Sequence, residues 1–287
     1  PHTNPFDVWI KLLPGYSYIC NMTLTDTHTH LYLKEFDHDR GRVIENAIQL
    51  GVKQFFLPNI DSSSIDDLLD LTNTYPENCF PMVGLHPCSV KEDFEEELSL
   101  VEDWLSSTSA KAGADKKAKF YAIGEIGIDL YWDKTFFEQQ EAAFRKQIEL
   151  AKKFQLPIVI HSRNSFDEIF NILDDLNDDD LKGIFHCFSG TLEQAGKIIA
   201  YGGFKLGIGG VVTFKNAGLD KVVSQIDIKH VVLETDAPFL TPAPHRGKRN
   251  ESAYLLHIAQ KVADLYNISV EEVAEITTGN SKDIFSK

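Results

Sequence analysis

The sequence predicts an α/β fold: a single parallel (β/α)8 TIM-type barrel. Two observations carry that reading. From residue 24 onward, short strand-like segments alternate with helical ones, and the strand candidates are near-continuous apolar runs, as in strands buried on both faces. Polar residues able to do chemistry recur at the carboxyl ends of those runs, where barrels place their sites. The alternative, an open doubly wound sheet, usually shows a glycine-rich fingerprint after its first strand, and here that place holds T-H-T-H.

The elements follow in order. Leu24–Leu31 is the first predicted strand, and Arg42–Leu50 a helix after an acidic start. Val52–Asn59 is the second strand; the helix Ser64–Thr74 carries Ile65, Leu68, Leu69 and Leu71 and stops before Pro76. Cys79–His86 precedes the helix Phe94–Leu105, with Phe94, Leu98, Val101 and Leu105 on one face. Phe120–Ile128 precedes Phe136–Phe154, the clearest helix, where Phe137, Phe144, Ile148 and Ala151 form a stripe opposite charges. Pro157–His161, Gly183–Phe188, Gly203–Gly209 and His230–Asp236 complete eight strands. Between and after them come Ser165–Leu176, Leu192–Tyr201, a short helix from Phe214 through Ser224, then Asn250–Tyr266 and Val270–Phe285, the last opened by the cap residue Ser269.

Composition narrows the function classes. The 287 residues are 43% hydrophobic and 25% charged, which excludes a disordered or fibrous chain. Lys plus Arg is 28 against 43 Asp plus Glu, a formal charge of −15. Nucleic-acid binding by bulk electrostatics is therefore disfavoured, and a phosphate-bearing substrate needs a local cationic feature. Four cysteines (Cys20, Cys79, Cys88, Cys187) with no CxxC pair suit a reducing, cytoplasmic setting. No apolar run approaches a membrane span. Residues 1–21 make a poor signal peptide and are expected to be a leader outside the domain, which runs from Met22 to Lys287. Lys111–Lys119 reads as a solvated loop.

His28 and His30 stand at i and i+2, so on a strand both rings share a face. Two imidazoles at that spacing suit a divalent metal. A lone buried histidine is ordinarily a satisfied core residue. This pair together with His161, His186, Glu125 and Asp236, all at strand ends, is not readily explained that way. Glu125 lies among Ile123, Ile126 and Ile128, where a carboxylate is costly unless metal-bound or paired; an ion pair with Arg163 or a lysine is the plainer alternative. Six ligand-capable groups exceed one tetrahedral site, and two metals sharing a carboxylate would use the surplus.

T-D-T-H-T-H-L, G-L-H-P, G-E-I-G-I-D, L-P-I-V-I-H-S-R, H-C-F-S-G and E-T-D-A-P-F-L-T-P, followed by P-H-R-G-K-R-N, resemble the TatD family of metal-dependent deoxyribonucleases, a branch of the amidohydrolase superfamily with a (β/α)8 barrel. The resemblance spans Leu24 to Phe285. It implies a metal-dependent DNase acting on single-stranded ends through a water activated by two divalent ions. His28, His30 and Asp236 match the ligands of one metal, His161 and His186 those of the second, and Glu125 the bridging carboxylate. His86 matches a substrate-site histidine. The metal is expected to be Mg, Mn or Zn; imidazoles favour the latter two over Mg.

Asp236 is expected to orient the attacking water and accept its proton, and His86 to contact a phosphate oxygen or assist the leaving group. The local cationic feature is His245–Asn250, with Arg246, Lys248 and Arg249, joined by Arg163 and Lys205; a solvated loop is the plainer reading of that run. Trp132 offers either a stacking surface for a base or core packing. No protein partner is implied. The same site chemistry serves an ester or amide hydrolase, such as a D-aminoacyl-tRNA deacylase, and a non-catalytic metal-binding protein is a third class.

Overall fold

The structure is a computed structural model that describes residues 22–109 and 119–286. Eight strands run in the order β1 (Leu24–Asp26), β2 (Val52–Leu57), β3 (Cys79–Pro81), β4 (Ile123–Asp129), β5 (Ile158–Arg163), β6 (Gly183–Phe185), β7 (Phe204–Ile208) and β8 (Val231–Leu233). Every paired neighbour is parallel. Ladders join β1 to β3 and β4 to β8 as two arcs. Val83 bridges to Ile123 between the arcs, and Thr27 N donates to Leu233 O at 3.0 Å on the far side. These two contacts close the ring into a barrel.

The outer layer consists of α1 (Arg40–Gln49), α2 (Ile65–Thr74), α3 (Phe94–Ser109), α4 (Phe137–Phe154), α5 (Phe166–Leu176), α6 (Leu192–Ala200), α7 (Leu219–Val223), α8 (Leu255–Tyr266) and α9 (Val270–Phe285). Ser269 caps α9 as the sequence indicates, reciprocated by Glu272. No described helix is long and apolar enough to cross a membrane.

Strand parity decides which side chains enter the barrel. Phe55, Leu57, Ile158, Ile160, Phe185, Val231 and Leu233 pack outward into the main core beneath the helices. Their neighbours Phe56, Val159, Ile184 and Val232 join Met82 and Ala122 in a separate inner cluster, closed below by Ile284 and Phe285. The Phe285 ring stacks on Phe56 at 3.7 Å, so the end of α9 plugs the amino-terminal mouth. Two residues above Val159 and Ile184 stand His161 and His186. The period-two pattern therefore aims both imidazoles over the inner layer, towards the open carboxyl-terminal mouth.

Several elements differ from their expected bounds. β1 ends at Asp26, not Leu31, because the backbone beyond it turns to meet the β8 loop: His30 N donates to Ala237 O at 2.8 Å and His28 O accepts from Asp236 N at 2.9 Å. The helix expected from Asn250 starts at Leu255. Asn250 is instead buried, its amide donating to Thr235 O and Phe239 O, a local use of Asn that competes with helix.

The expected leader, residues 1–21, and nearly all of the expected loop 111–119 lie outside the described residues. The ring closes from Leu24 onward, so a chain begun at Met22 is expected to melt at the temperature of the longer chain and keep its activity. Loss of cooperative unfolding in calorimetry would refute that expectation.

Candidate active site

Glu125 is the centre of the mouth. Between Ile123 and Ile126 the β4–β5 register slips, three steps of β4 matching two of β5. This bulge lets Ile123 and Ile126 both pack outward while Glu125 turns inward. Asn59 brackets the peptide: its N–H donates to Gly124 O at 3.0 Å, and its carbonyl accepts from Glu125 N at 3.1 Å. Past Glu125, Gly127 adopts φ +140°, and a Cβ there would strike the His161 carbonyl, so glycine is required.

The two oxygens of Glu125 face different histidines. Oε2 lies 3.1 Å from His28 Nε2 and 3.6 Å from His30 Nε2. Oε1 lies 2.8 Å from His161 Nδ1, 3.2 Å from His86 Nε2 and 3.7 Å from His186 Nε2. Asp236 closes the first set, with Oδ1 at 3.5 Å from His30 Nε2 and 3.8 Å from His28 Nε2. It also lies 4.0 Å from His186 Nε2. The His28 and His30 nitrogens approach to 3.2 Å, and the His28 ring stacks on His186 at 3.5 Å. All six residues expected as metal ligands therefore converge; donor groups close enough to share an ion include His28–His30–Glu125, His86–Glu125–His161 and His186–Cys187–Asp236.

Electrostatics follow from the crowding. Burial alone would push Glu125 up, but His86, His28 and His186 overcome it and hold the carboxyl well below its ordinary value. Burial is likewise outweighed at Asp236 by the neighbouring imidazoles of His30, His186 and His28, so it too stays ionised. Burial pushes His28 down, helped by His186. A deprotonated acid pair beside largely buried imidazoles is a donor set suited to a divalent cation.

Hydrogen bonds behind the rings assign their free nitrogens. Tyr32 OH donates to Pro58 O at 2.7 Å, so at 3.1 Å it accepts from His30 Nδ1, leaving the Nε2 lone pair facing the centre. Asp129 Oδ2, 2.9 Å from His161 Nε2, takes that ring's N–H and leaves Nδ1 towards Glu125. Two backbone N–H groups and His161 outweigh the burial of Asp129 and lower it to about 2. His186 Nδ1 lies 3.0 Å from Glu234 Oε1, off the hydrogen-bond line. Glu234 is fully buried and fits only because Gly207 faces it; a Cβ at Gly207 would collide with its carboxylate. His86 behaves oppositely. Its Nδ1 accepts from Cys88 N at 3.0 Å, so the neutral ring carries its proton on Nε2. In that tautomer it presents a hydrogen-bond donor to the mouth, and it sits as near Glu125 as the expected ligands do.

The basic residues divide. Arg163 stands at the rim over the Tyr131 ring at 3.9 Å, and Arg246 over Phe214 at 3.6 Å. Lys248 is exposed on the same loop. Arg249 does not face the substrate space: it grips Asp39 with two bonds of 2.8 Å, reaches Glu251 at 3.0 Å and Glu35 O at 2.7 Å, and so ties the β8 loop to the start of α1. Lys205 is also reassigned. It pairs in register with Ile184 of the inner layer, below His186, and its ammonium caps Lys229 O at 2.7 Å near Asp283, at the opposite end of the barrel. Trp132 is exposed, which removes the core-packing alternative.

The sequence reading assigned no role to Asp129, Glu234, Tyr32, Asn59, Gln140 or Gln147. Asp129 and Glu234 carried a signal, each an acid at the end of an apolar strand. Gln140 and Gln147 lie seven apart on the buried face of α4. Gln147 accepts from Leu85 N at 2.7 Å and Gln140 from Asp129 N at 2.9 Å, fixing the loop that carries His86 and the end of β4 that carries Asp129. Tyr32 and Asn59 gave no such signal. Asp129→Asn is expected to weaken metal affinity or activity about 10–100-fold, the usual cost of removing a histidine's carboxylate partner; unchanged titration of metal and activity would contradict the assignment.

Residues 25–286 match the family model described as TatD related DNase. The chain belongs to the TatD-related DNase family. It is 38% identical over 263 residues to the metal-dependent hydrolase YabD of Bacillus subtilis, covering 91% of this chain and 98% of that one. It is 32% identical over 269 residues to the metal-dependent hydrolase BU355 of Buchnera aphidicola, covering 92% and 100%. Its fold superposes on the crystal structure of YjjV, a TatD homologue from Escherichia coli, with a TM-score of 0.84 at 27% identity, covering 94% and 99% of the two chains.

Proposed function

We propose that this TatD-family protein is a metal-dependent hydrolase that cleaves DNA phosphodiesters from single-stranded ends, using two divalent ions. The observation that carries the reading is the division of Glu125: one oxygen towards His28 and His30, the other towards His161 and His186. That is the arrangement a bridging carboxylate needs. The metal-dependent hydrolase names of YabD and BU355 and the DNase family support the same class.

His28, His30 and Asp236 would hold one ion, His161 and His186 the other, with Glu125 between them. When bound, such a pair lowers the pKa of a water, neutralises phosphate oxygens and stabilises the leaving oxygen. The protein's own groups then move the protons. Asp236, ionised and next to both histidine sets, accepts the proton of the attacking water as the new O–P bond forms. His86, its Nε2 carrying a proton, donates to a phosphate oxygen or to the leaving oxygen as the old P–O bond breaks. Arg163, Arg246 and Lys248 supply rim charge for flanking phosphates; Arg249 maintains the loop that presents them. Four imidazoles and two carboxylates favour Mn or Zn over Mg. The free thiols of Cys79, Cys88 and Cys187 fit a cytoplasmic setting.

The test uses end-labelled single-stranded DNA and a charged tRNA, each with Mg, Mn, Zn or chelator. Metal-dependent, chelator-sensitive shortening of the DNA is expected. Release of amino acid alone would replace the reading with an ester hydrolase of the deacylase kind. Inertness on both substrates would leave a metal-binding protein.

A further inference from the structure

Six large hydrophobic side chains are prominently exposed among the described residues, and five of them stand at one end of the barrel. Tyr131 and Trp132 follow β4, Leu192 opens α6 after β6, and Phe239 and Leu240 follow β8. The most exposed is Trp132, at 70%, with Tyr131 at 53%. Trp132 and Tyr131 meet edge to face at 4.9 Å between centroids. The Arg163 guanidinium lies over Tyr131 at 3.9 Å and 5.2 Å from the indole. Such an aromatic pair, braced by a cation and left in solvent, buries little apolar area for the fold itself.

The turn that carries it is tied to the metal centre by one carboxylate. Asp129 Oδ1 accepts from Tyr131 N at 2.9 Å and Trp132 N at 3.2 Å, while its Oδ2 takes the N–H of His161. Asp129 N is itself held by the buried Gln140. Arg163 stands two residues beyond His161 on β5, so the same strand carries a metal ligand and the guanidinium. Tyr131 and Arg163 also line a cleft of about 850 Å³, walled further by Ser165, Ser189 and Leu219. The platform is thus joined through Asp129 to the ring of His161.

We propose that Trp132 is a stacking subsite for a nucleobase of the strand being cut, the base next to the phosphate at the metal centre, and that Arg163 pairs with the backbone phosphate beyond it. The occupant follows from the chemistry. A base offers a flat π-face to the indole whatever its identity, and a phosphate offers two oxygens to a guanidinium fork. An aliphatic partner would use the indole but leave Arg163 unanswered. A chain with net charge −15 repels a polyanion overall, so a stacking contact supplies affinity that charge does not. The inference rests on the DNA reading above, and its test separates the two.

The first arm is optical. Trp9 and Trp104 are replaced by Phe, leaving Trp132 as the only indole, and Asp236→Asn is added to hold substrate uncut. Titration with (dT)8 in the presence of Mn is expected to quench the emission saturably. The second arm is kinetic. Trp132→Ala in the otherwise natural chain is expected to lower kcat/KM on (dT)8 by roughly 5–150-fold, the range of one base–aromatic stack, mainly through KM. Trp132→Phe is expected to restore most of it. On an oligonucleotide made abasic at the nucleotide next to the cleaved bond, Trp132→Ala and the natural chain are expected to perform alike. An unquenched indole, or equal losses on the normal and abasic strands, overturns the inference. Quenching without any DNA shortening by the natural chain leaves Trp132 a base-stacking site but refutes the DNase reading and, with it, the place of that site beside a cut bond; shortening without quenching refutes the subsite and keeps the DNase reading.

Discussion

Asp236→Asn is expected to lower turnover about 10²–10⁴-fold, the range for loss of a general base, with metal content near that of the natural chain. Asparagine keeps the volume of the side chain and one oxygen. It also tolerates the left-handed backbone that residue 236 adopts, at φ +57°. The loop should therefore persist, since it is held by Asp236 N to His28 O and Phe239 N to Asp236 O, both main-chain bonds. His28, His30 and Glu125 remain to hold the first ion. What is lost is an anionic oxygen, 3.5 Å from His30 Nε2, able to take a proton. Elemental analysis and saturating-metal kinetics on the same preparation check the prediction. Near-normal turnover at full occupancy would remove Asp236 from proton transfer and leave it a ligand only.

Glu125→Gln is expected to have the larger effect: metal content falls well below two ions per chain and turnover drops below detection. The amide offers one neutral oxygen and an N–H₂ in place of two anionic oxygens, so both histidine sets lose their shared charge. Nothing nearby substitutes. Asp129 is turned to the outer side of His161, and Glu234 lies behind His186. Removing one partner from a buried charged cluster also destabilises the fold, by about 3–5 kcal/mol where the remaining charges are uncompensated. Calorimetry with chelator reads that stability effect apart from metal loss. Retention of two ions with ordinary affinity would show that Glu125 does not bridge.

The two variants separate two jobs that one crowded mouth performs. Asp236 touches the reacting water in the proposed reaction; Glu125 sets where the ions would sit. His86 adds a third role that depends on tautomer rather than position. It lies 3.2 Å from Glu125 Oε1, well within ligand range, yet Cys88 N fixes its proton on the nitrogen that faces the mouth.

The amino-acid sequence by itself determined the barrel, the direction of its chemistry and the six converging donors. Apolar runs bounded by polar residues specify strands buried on both faces, and period-two alternation specifies which of their side chains point inwards. His161 and His186 were legible as the polar residues that end two such apolar runs. The tertiary structure decided what alternation cannot encode. The bulge that turns Glu125 inward depends on the neighbouring strand's register, and the shortening of β1 depends on bonds to a loop about 200 residues away in sequence. The fates of Arg249 and Lys205 were likewise hidden, because a cation near a motif reads the same whether its partner is a phosphate or a carboxylate from another element. Asp39, Asp283 and Lys229 claim those charges through contacts that exist only once the chain has closed on itself. Local pattern encodes direction along a strand; the partner at the end of a long polar side chain is a property of the assembled barrel.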